Sequence, residues 1–491
     1  MPPAVDRQPG RHARPLLFGA KLGYAAGALL DGIGQQAVAI FLFFYVTAVC
    51  GLPPGLAGTA LAAGLVVDAV IDPLIGSLSD GWRSRWGRRL PFMVVGLPAT
   101  AVFLVLIFSL PRGWSTPALF AWLTTLSIGL RISISLFLLP YNAVGAELSD
   151  DYDERSSIAA WRWGFAMIGA LVAVMLGFGG FFAGTGGLAR RAAYTPFAAT
   201  LAVVAAIGAV VAMRALLGMR DRQFAPAAAA GAAHAELIAG LREVFRNPSF
   251  RILFIGAILL FTALSVHATL GLHADNYFWR LAPTQIQSVT LALFLGLLLG
   301  APLAGPLLKR LEKRTVLLAG MIGLAAAFSV PATLRLLGAF PFEGATLVAI
   351  LAAAVFAGGM LMATAAIAFA SMMADAADEH EHLFGTRREG LYFAGWALAS
   401  KAAAGLGSLV AGVALQAIGF PSGVQDAARL TLPPGTVGWI GAIYGPGTGV
   451  LAVAAALTCL FYRLDAARHA DMLVDLAARR TLATNLPPLA A

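Results

Sequence analysis

The sequence predicts an all-α membrane protein of twelve transmembrane helices, arranged as two pseudo-symmetric six-helix bundles. Three observations lead there: little charge in a very apolar chain, twelve apolar runs of spanning length, and basic residues gathered in alternate loops. Apolar residues make up 59% of the 491 and charged residues 12%, with a mean hydropathy of +0.80. A soluble domain carries about twice that share of charge. So few charges cannot cover the surface of two or three soluble domains, whereas a bilayer removes the need to do so.

The runs fall in order at 23–49, 58–79, 91–110, 117–145, 158–182 and 196–217, then at 250–272, 284–308, 315–337, 344–372, 390–418 and 438–462. Each is long enough to cross about 30 Å of hydrocarbon with some tilt. No stretch alternates apolar and polar residues as the strands of a membrane barrel would. The first run is too long for a signal peptide and has no cleavage pattern, and Met1 to Arg14 is a polar, basic tail.

Orientation follows from Lys and Arg. With the N-terminus inside, the inner loops hold Arg83, Arg85, Arg88 and Arg89, then Arg220, Arg222, Arg242 and Arg246, then Lys309, Arg310, Lys313 and Arg314, then Arg387 and Arg388. The C-terminal tail adds Arg463, Arg468, Arg479 and Arg480, while the outer loops hold chiefly Arg112, Arg190, Arg191, Arg280 and Arg429. This bias places both termini in the cytosol of a multi-pass protein, with the inner membrane of a bacterium as the expected site. It also accounts for the net charge of +9, so nucleic acid is rejected as a partner. Two cysteines exclude a disulfide framework, and Cys50 and Cys459 fall at opposite membrane faces, too far apart to pair.

The longest inner segment contains the alanine run Ala227 to Ala230 and separates six spans from six. The expected organisation is a cytosolic tail 1–20, an N-terminal bundle 21–217, a linker 218–249, a C-terminal bundle 250–463 and a cytosolic tail 464–491. The halves echo each other. Ile71-Asp72-Pro73-Leu74-Ile75-Gly76 precedes the basic loop after span two, and Gly300-Ala301-Pro302-Leu303-Ala304-Gly305 precedes the one after span eight. Two parallel six-helix repeats around a central cavity are the architecture of the major facilitator fold.

Charges within the spans carry the chemistry, because each costs about 3 kcal/mol to insert. Asp68 and Asp72 stand four apart in the middle of span two, so their carboxylates share one helix face. Such a pair can supply hard oxygen ligands to a sodium-like cation, or share a proton. An internal salt bridge is the structural alternative. Pro73 removes the amide that would bond the Ala69 carbonyl and leaves another oxygen nearby. Ile71, between the acids, offers no side-chain oxygen, which favours protons over sodium. The same carboxylates serve either ion, so the coupling ion is Na+ or H+, with no other cofactor implied.

Lys401 lies within span eleven among Ala, Gly, Leu and Ser, with Asp31 or the span-two acids as its expected partner. Arg131 lies in span four and Arg162 near the start of span five, where snorkelling to the headgroups is the alternative. Asp31 and Gln35 are one turn apart on span one. Tyr141 and Asn142 follow Pro140 on span four and can hydrogen-bond a polar ligand or a neighbouring helix. Lys401, Arg162, Asp31, Gln35, Tyr141 and Asn142 are therefore the candidate substrate-binding or coupling residues. His267 is a candidate relay, cavity ligand or packing residue. His380-Glu381-His382, with Asp378 and Glu379, reads as a solvated acidic loop rather than a metal site.

Three segments resemble one family, the glycoside–pentoside–hexuronide:cation symporters of the melibiose permease type. Asp68-Ala-Val-Ile-Asp72-Pro73-Leu-Ile-Gly76 followed by Arg83-Ser84-Arg85-Trp86-Gly87-Arg88 resembles the span-two signature. Pro140-Tyr141-Asn142-Ala143 through Asp151-Tyr152-Asp153-Glu154-Arg155 resembles the segment after span four. Ala374-Asp375 through Thr386-Arg387-Arg388-Glu389-Gly390 and on to Ser400-Lys401 resembles the loop and lysine of span eleven. Together they bracket roughly residues 15 to 465. The resemblance implies that Asp68 and Asp72 form the cation site, that Lys401 lies near both ligands, and that Arg162 is a cavity arginine.

Three departures bear on the cargo. Asp31 falls where melibiose permease has a lysine, and Gly32 and Leu138 fall at its two sugar-binding aspartates. Galactoside specificity is thus unsupported. The expected function is cation-coupled symport of a polar organic solute, such as a sugar or glycoside, by alternating access. The alternative cargo is a lysolipid or other amphiphile, favoured by the missing carboxylates and by the greasy run Leu136 to Leu139. A sensor or membrane enzyme is set aside: no nucleophile–base pair, metal-ligand set or phosphate loop falls at membrane depth. No obligatory protein partner is inferred.

Overall fold

The computed structural model describes residues 16–184, 186–219, 240, 242–423 and 431–485. Met1 to Arg14, Arg220, Arg222, Ala227 to Ala230 and Arg429 lie outside the described residues. Among the described residues, twelve helices are long and apolar enough to cross a membrane. They are α1 Phe18–Leu42, α2 Pro54–Gly81, α3 Leu90–Ile107, α4 Thr116–Glu147, α5 Asp153–Phe181 and α6 Arg191–Gly218. The series continues with α7 Pro248–Phe278, α8 Pro283–Arg310, α9 Lys313–Leu336, α10 Gly344–Phe384, α11 Glu389–Ala417 and α12 Pro434–Cys459. A further helix, α13, spans Ala466–Asn485. There is no strand among the described residues.

Local chemistry sets the ends. Proline in the first turn, where the amide has no helical partner, opens α2, α3 and α4. Asp151 caps α5 by accepting the Glu154 amide at 2.8 Å. Gly385, at φ +75°, closes α10 in a conformation that costs a side-chain-bearing residue energy. The spans turn apolar side chains outward: Val66, Val203, Ile207 and Val450 each expose more than half their area (66, 59, 61 and 68%). That surface is costly in water and at home in lipid.

The chain divides into two compact units. The first comprises residues 1–230 together with 268–287 and 408–433, so the ends of α7 and α11 belong to it. Small residues let its helices touch. A Cβ on Gly32 would lie 1.8 Å from the Ala166 carbonyl oxygen, and one on Gly169 would lie 2.7 Å from that of Leu29, so α1 and α5 meet backbone to backbone. Gly64 of α2 faces the Ser127 hydroxyl of α4 in the same way, at 2.5 Å. One end of the unit is clamped by charge: Arg88 and Arg89 both pair with Glu147, the latter at 2.9 Å, and Arg89 also reaches Asp80 at 2.7 Å.

The second unit comprises residues 231–267, 288–407 and 434–491. Gly296 and Gly300 of α8 pack on the Phe356 and Met360 carbonyls of α10. Lys313, opening α9, holds both carboxylate oxygens of Asp375 at 2.8 and 2.7 Å. This clamp repeats that of Arg88 and Arg89 on Glu147: in each unit, a cation opening one helix pairs with an acid late in the next. The echo of Ile71–Gly76 in Gly300–Gly305 precedes each clamp.

Hydropathy ends the tenth run at 372, but α10 continues to Phe384. The segment Asp378 to His382 is therefore helical, which corrects the loop expected there. The extra turns persist because their polar groups have protein partners. Besides Lys313 on Asp375, His469 of α13 lies 3.2 Å from Asp378, and Arg387 lies 3.5 Å from it. Arg479 donates to the His382 carbonyl at 3.0 Å. Cys50 and Cys459 are both free and buried.

Candidate cation and substrate sites

The first polar centre lies between α2 and α4. Asp68 is buried, with 6% of its area exposed, and its Oδ1 accepts a hydrogen bond from the Ser135 hydroxyl at 2.9 Å. Two contacts fix the register. Gly64 meets Ser127 and, one turn further along α2, Asp68 is bonded by Ser135, so Arg131 lies on the same face of α4 midway between the two contacts, one turn from each. Both pairs advance together, so α2 and α4 run in the same direction. Four polar side chains thus occupy one turn of the α2–α4 contact, and the charge of Arg131 lies within electrostatic reach of both carboxylates. Pro73 sits inside α2, as its position after Asp72 implies.

The second centre joins α1, α4 and α5. Gln35 Nε2 donates to Asp31 Oδ1 at 2.7 Å, and Arg162 Nη1 donates to Asn142 Oδ1 at 2.9 Å. Arg162 also lies within electrostatic reach of Asp31. The pairs are half-buried to exposed, so their remaining donors and acceptors are open to a polar ligand. Tyr141 behaves differently. It is fully buried, its ring stacks on Tyr24 at 4.6 Å, and the two hydroxyls bond each other's backbone carbonyls at 2.8 and 3.0 Å. This reciprocal pair locks α1 to α4 one residue before Asn142.

Gly32 has no room for a side chain, because α5 fills the space with backbone. The carboxylate that the melibiose permease type carries there is sterically excluded. Leu138 is half-buried on α4. Lys401 lies on α11 within the second unit, half-buried. His267, in the same unit, is sandwiched between Phe328 and Tyr444 at ring distances of 3.6 and 4.0 Å, with Nδ1 3.0 Å from the Tyr444 carbonyl. Among the described residues, no group of three or more His, Cys, Asp and Glu is arranged to hold a metal ion.

Two polar features escape sequence reasoning. Ser135 is one, since serine in a span usually bonds its own helix, as Ser133 does to the Leu130 carbonyl. The other is Thr47 with His273, 2.9 Å apart and almost wholly buried in the first unit. Thr47 gives its one hydroxyl proton to the Phe43 carbonyl at 2.7 Å, so His273 Nε2 must be the donor to Thr47. A histidine immediately after the apolar run 250–272 was the available signal.

Twelve spans among the described residues, with a mid-span carboxylate bonded to a neighbouring helix, define a polytopic membrane protein. The chain belongs to the family described as MFS/sugar transport protein, which matches residues 23–466. The chain spans about a third of the length of the first curated relatives it matches: an uncharacterized symporter of Synechocystis sp. is 36% identical over 33% of this chain and 31% of its own. An isoprimeverose transporter of Lactiplantibacillus pentosus is 23% identical over 96% of this chain and 94% of its own. A sodium-dependent lysophosphatidylcholine symporter 1 of Xenopus tropicalis is 28% identical over 31% of this chain and 29% of its own. Among solved structures, the xylose transporter XylE from E. coli in a partially occluded inward open conformation gives a TM-score of 0.58. It is 15% identical and the match covers 91% of this chain and 98% of that one, a likeness that bears on the fold alone.

Proposed function

We propose that this protein is a secondary active transporter that couples uptake of a polar organic solute, such as a sugar or glycoside, to a cation by alternating access. The observation that carries the reading is Asp68: a carboxylate buried at mid-span, held by Ser135, with Asp72 one turn away. A buried acid pair in a membrane helix is costly and is retained where its charge is used. Cation binding at Asp68 and Asp72 removes that charge and favours one facing state, because coupling requires different affinities in the two states. Arg162, Asn142, Asp31 and Gln35 bind the solute, with Tyr141 holding Asn142 in place. Lys401 keeps the coupling role that the family resemblance gives it. The two bundles are 21–217 and 250–463, and both termini face the cytosol of a bacterial cell, as the Lys and Arg bias supports.

A second reading keeps the mechanism and makes the cargo a lysolipid. Gly32 supports it, since the α1–α5 contact removes a sugar-gripping carboxylate, and so does the similarity to a lysophosphatidylcholine symporter. Uptake of radiolabelled glycosides and of radiolabelled lysolipids by proteoliposomes, each under an inward Na+ or pH gradient, decides between them. Accumulation of a glycoside supports the first reading and accumulation of a lysolipid alone the second. Accumulation of neither, across both panels and both gradients, counts against transport.

A further inference from the structure

The acid pair has an ionic neighbour that the function above does not use. Arg131 lies on the contact face of the adjoining helix midway between Ser127, which meets Gly64, and Ser135, which bonds Asp68 at 2.9 Å. Its charge acts on both carboxylates. The surrounding helix segments add little else. Between Pro91 and Ile107, α3 carries no ionisable side chain, and neither does the end of α11 from Ser408 to Ala417 that belongs to this unit. On α2 and α4 at this depth, the ionisable groups are Asp68, Asp72 and Arg131.

We infer that Arg131 is a resident counter-charge that keeps metal cations off the Asp68–Asp72 pair and leaves the proton as the coupling cation. This rests on the pair being the coupling site. A unit positive charge held several ångströms away, at an effective dielectric of about 20, weakens binding of a second cation by on the order of a hundredfold. Both cations feel that penalty, but sodium has little affinity to spare, because its binding is the sum of weak oxygen contacts and Ile71 contributes none. A proton needs one carboxylate oxygen and no coordination shell. It bonds to one acid of the pair on the outer side, the other acid remains ionised opposite Arg131, and the local charge falls to zero. Release of the same proton to the cytosol restores the starting charge. Specificity for the coupling ion is thereby set by a residue on α4 rather than by the two acids.

Binding of Na+ alone, measured by 22Na+ retention and by thermal shift in NaCl against choline chloride, tests this on the full-length purified protein. The wild type is expected to show no saturable Na+ binding. Arg131→Gln and Arg131→Met, both close to arginine in length, are expected to gain it by on the order of a hundredfold, and adding Asp72→Asn should remove the gain. Arg131→Lys, which keeps the charge, should resemble the wild type. Saturable Na+ binding by the wild type that Asp72→Asn abolishes overturns the inference, as does failure of either folded neutral variant to gain binding. The coupling assignment fails separately: it falls if Asp68→Asn and Asp72→Asn both retain gradient-driven uptake, whatever Na+ does.

Discussion

The hydroxyl of Ser135 donates to Asp68 Oδ1 at 2.9 Å across the contact between α2 and α4. The bond ties the protonation or occupancy of an α2 carboxylate to the position of α4, two turns of which separate Arg131 from Leu138. A hydrogen bond to an ionised group contributes about 1.5–3 kcal/mol. Ser135→Ala is therefore expected to shift the cation concentration for half-maximal uptake by at least tenfold, while Ser135→Thr, which keeps the hydroxyl, shifts it little. Titrating the driving cation for the three proteins checks this.

Gly32 tests the helix packing. A Cβ there would overlap the Ala166 carbonyl at 1.8 Å, and neither helix can yield without moving backbone. Gly32→Ala is expected to cost about 3 kcal/mol and to lower the melting temperature in detergent sharply. Gly271→Ala, where an added Cβ meets nothing within 4 Å, should leave it unchanged or slightly raised. Equal melting temperatures for the two variants would contradict the α1–α5 contact.

The two charge clamps differ in burial. Arg88, Arg89 and Glu147 expose 10, 7 and 14% of their side chains, whereas Lys313 exposes 35%. Glu147→Gln strands the buried Arg88 guanidinium and leaves Arg89 with Asp80 alone, and is expected to cost about 3–5 kcal/mol. Asp375→Asn leaves a lysine that can turn to water and costs about 1 kcal/mol after screening. Thermal melts of both purified variants should rank them in that order.

Cys50 follows the end of α1, and burial pushes its thiol up to about 11, with Arg191 pulling part of the way back. At pH 8 only about one thiol in a thousand is ionised, and the thiolate is the reactive form. In a Cys459→Ser background, maleimide labelling of Cys50 should be slow at pH 8 and rise about tenfold per pH unit below 11. It should become complete on denaturation. Rapid labelling of the folded protein at neutral pH would contradict the burial.

The spans were legible because lipid demands long apolar helices, and Asp68 and Asp72 stood out because the same lipid makes charge conspicuous. The pairing of Arg162 with Asn142 lay among residues that sequence alone could nominate but not join. Ser135 was hidden because serine is at ease in a span without a partner, and Ser133, two residues away, bonds only its own helix. Gly32 signalled a missing carboxylate, but a single sequence does not say that α5 fills the place. Hydropathy lost α10 beyond residue 372 because it scores Asp375 and Asp378 as solvent-facing. Their partners, Lys313 and His469, lie 62 and 91 residues away.

The coupling role proposed for the acid pair is separable from transport itself. In proteoliposomes, uphill accumulation of a transported solute under a cation gradient can be compared with equilibrium exchange of the same solute, for wild type, Asp68→Asn and Asp72→Asn. The expected result is loss of gradient-driven accumulation in both variants with exchange retained. Accumulation at the wild-type level by both would contradict a coupling role for Asp68 and Asp72.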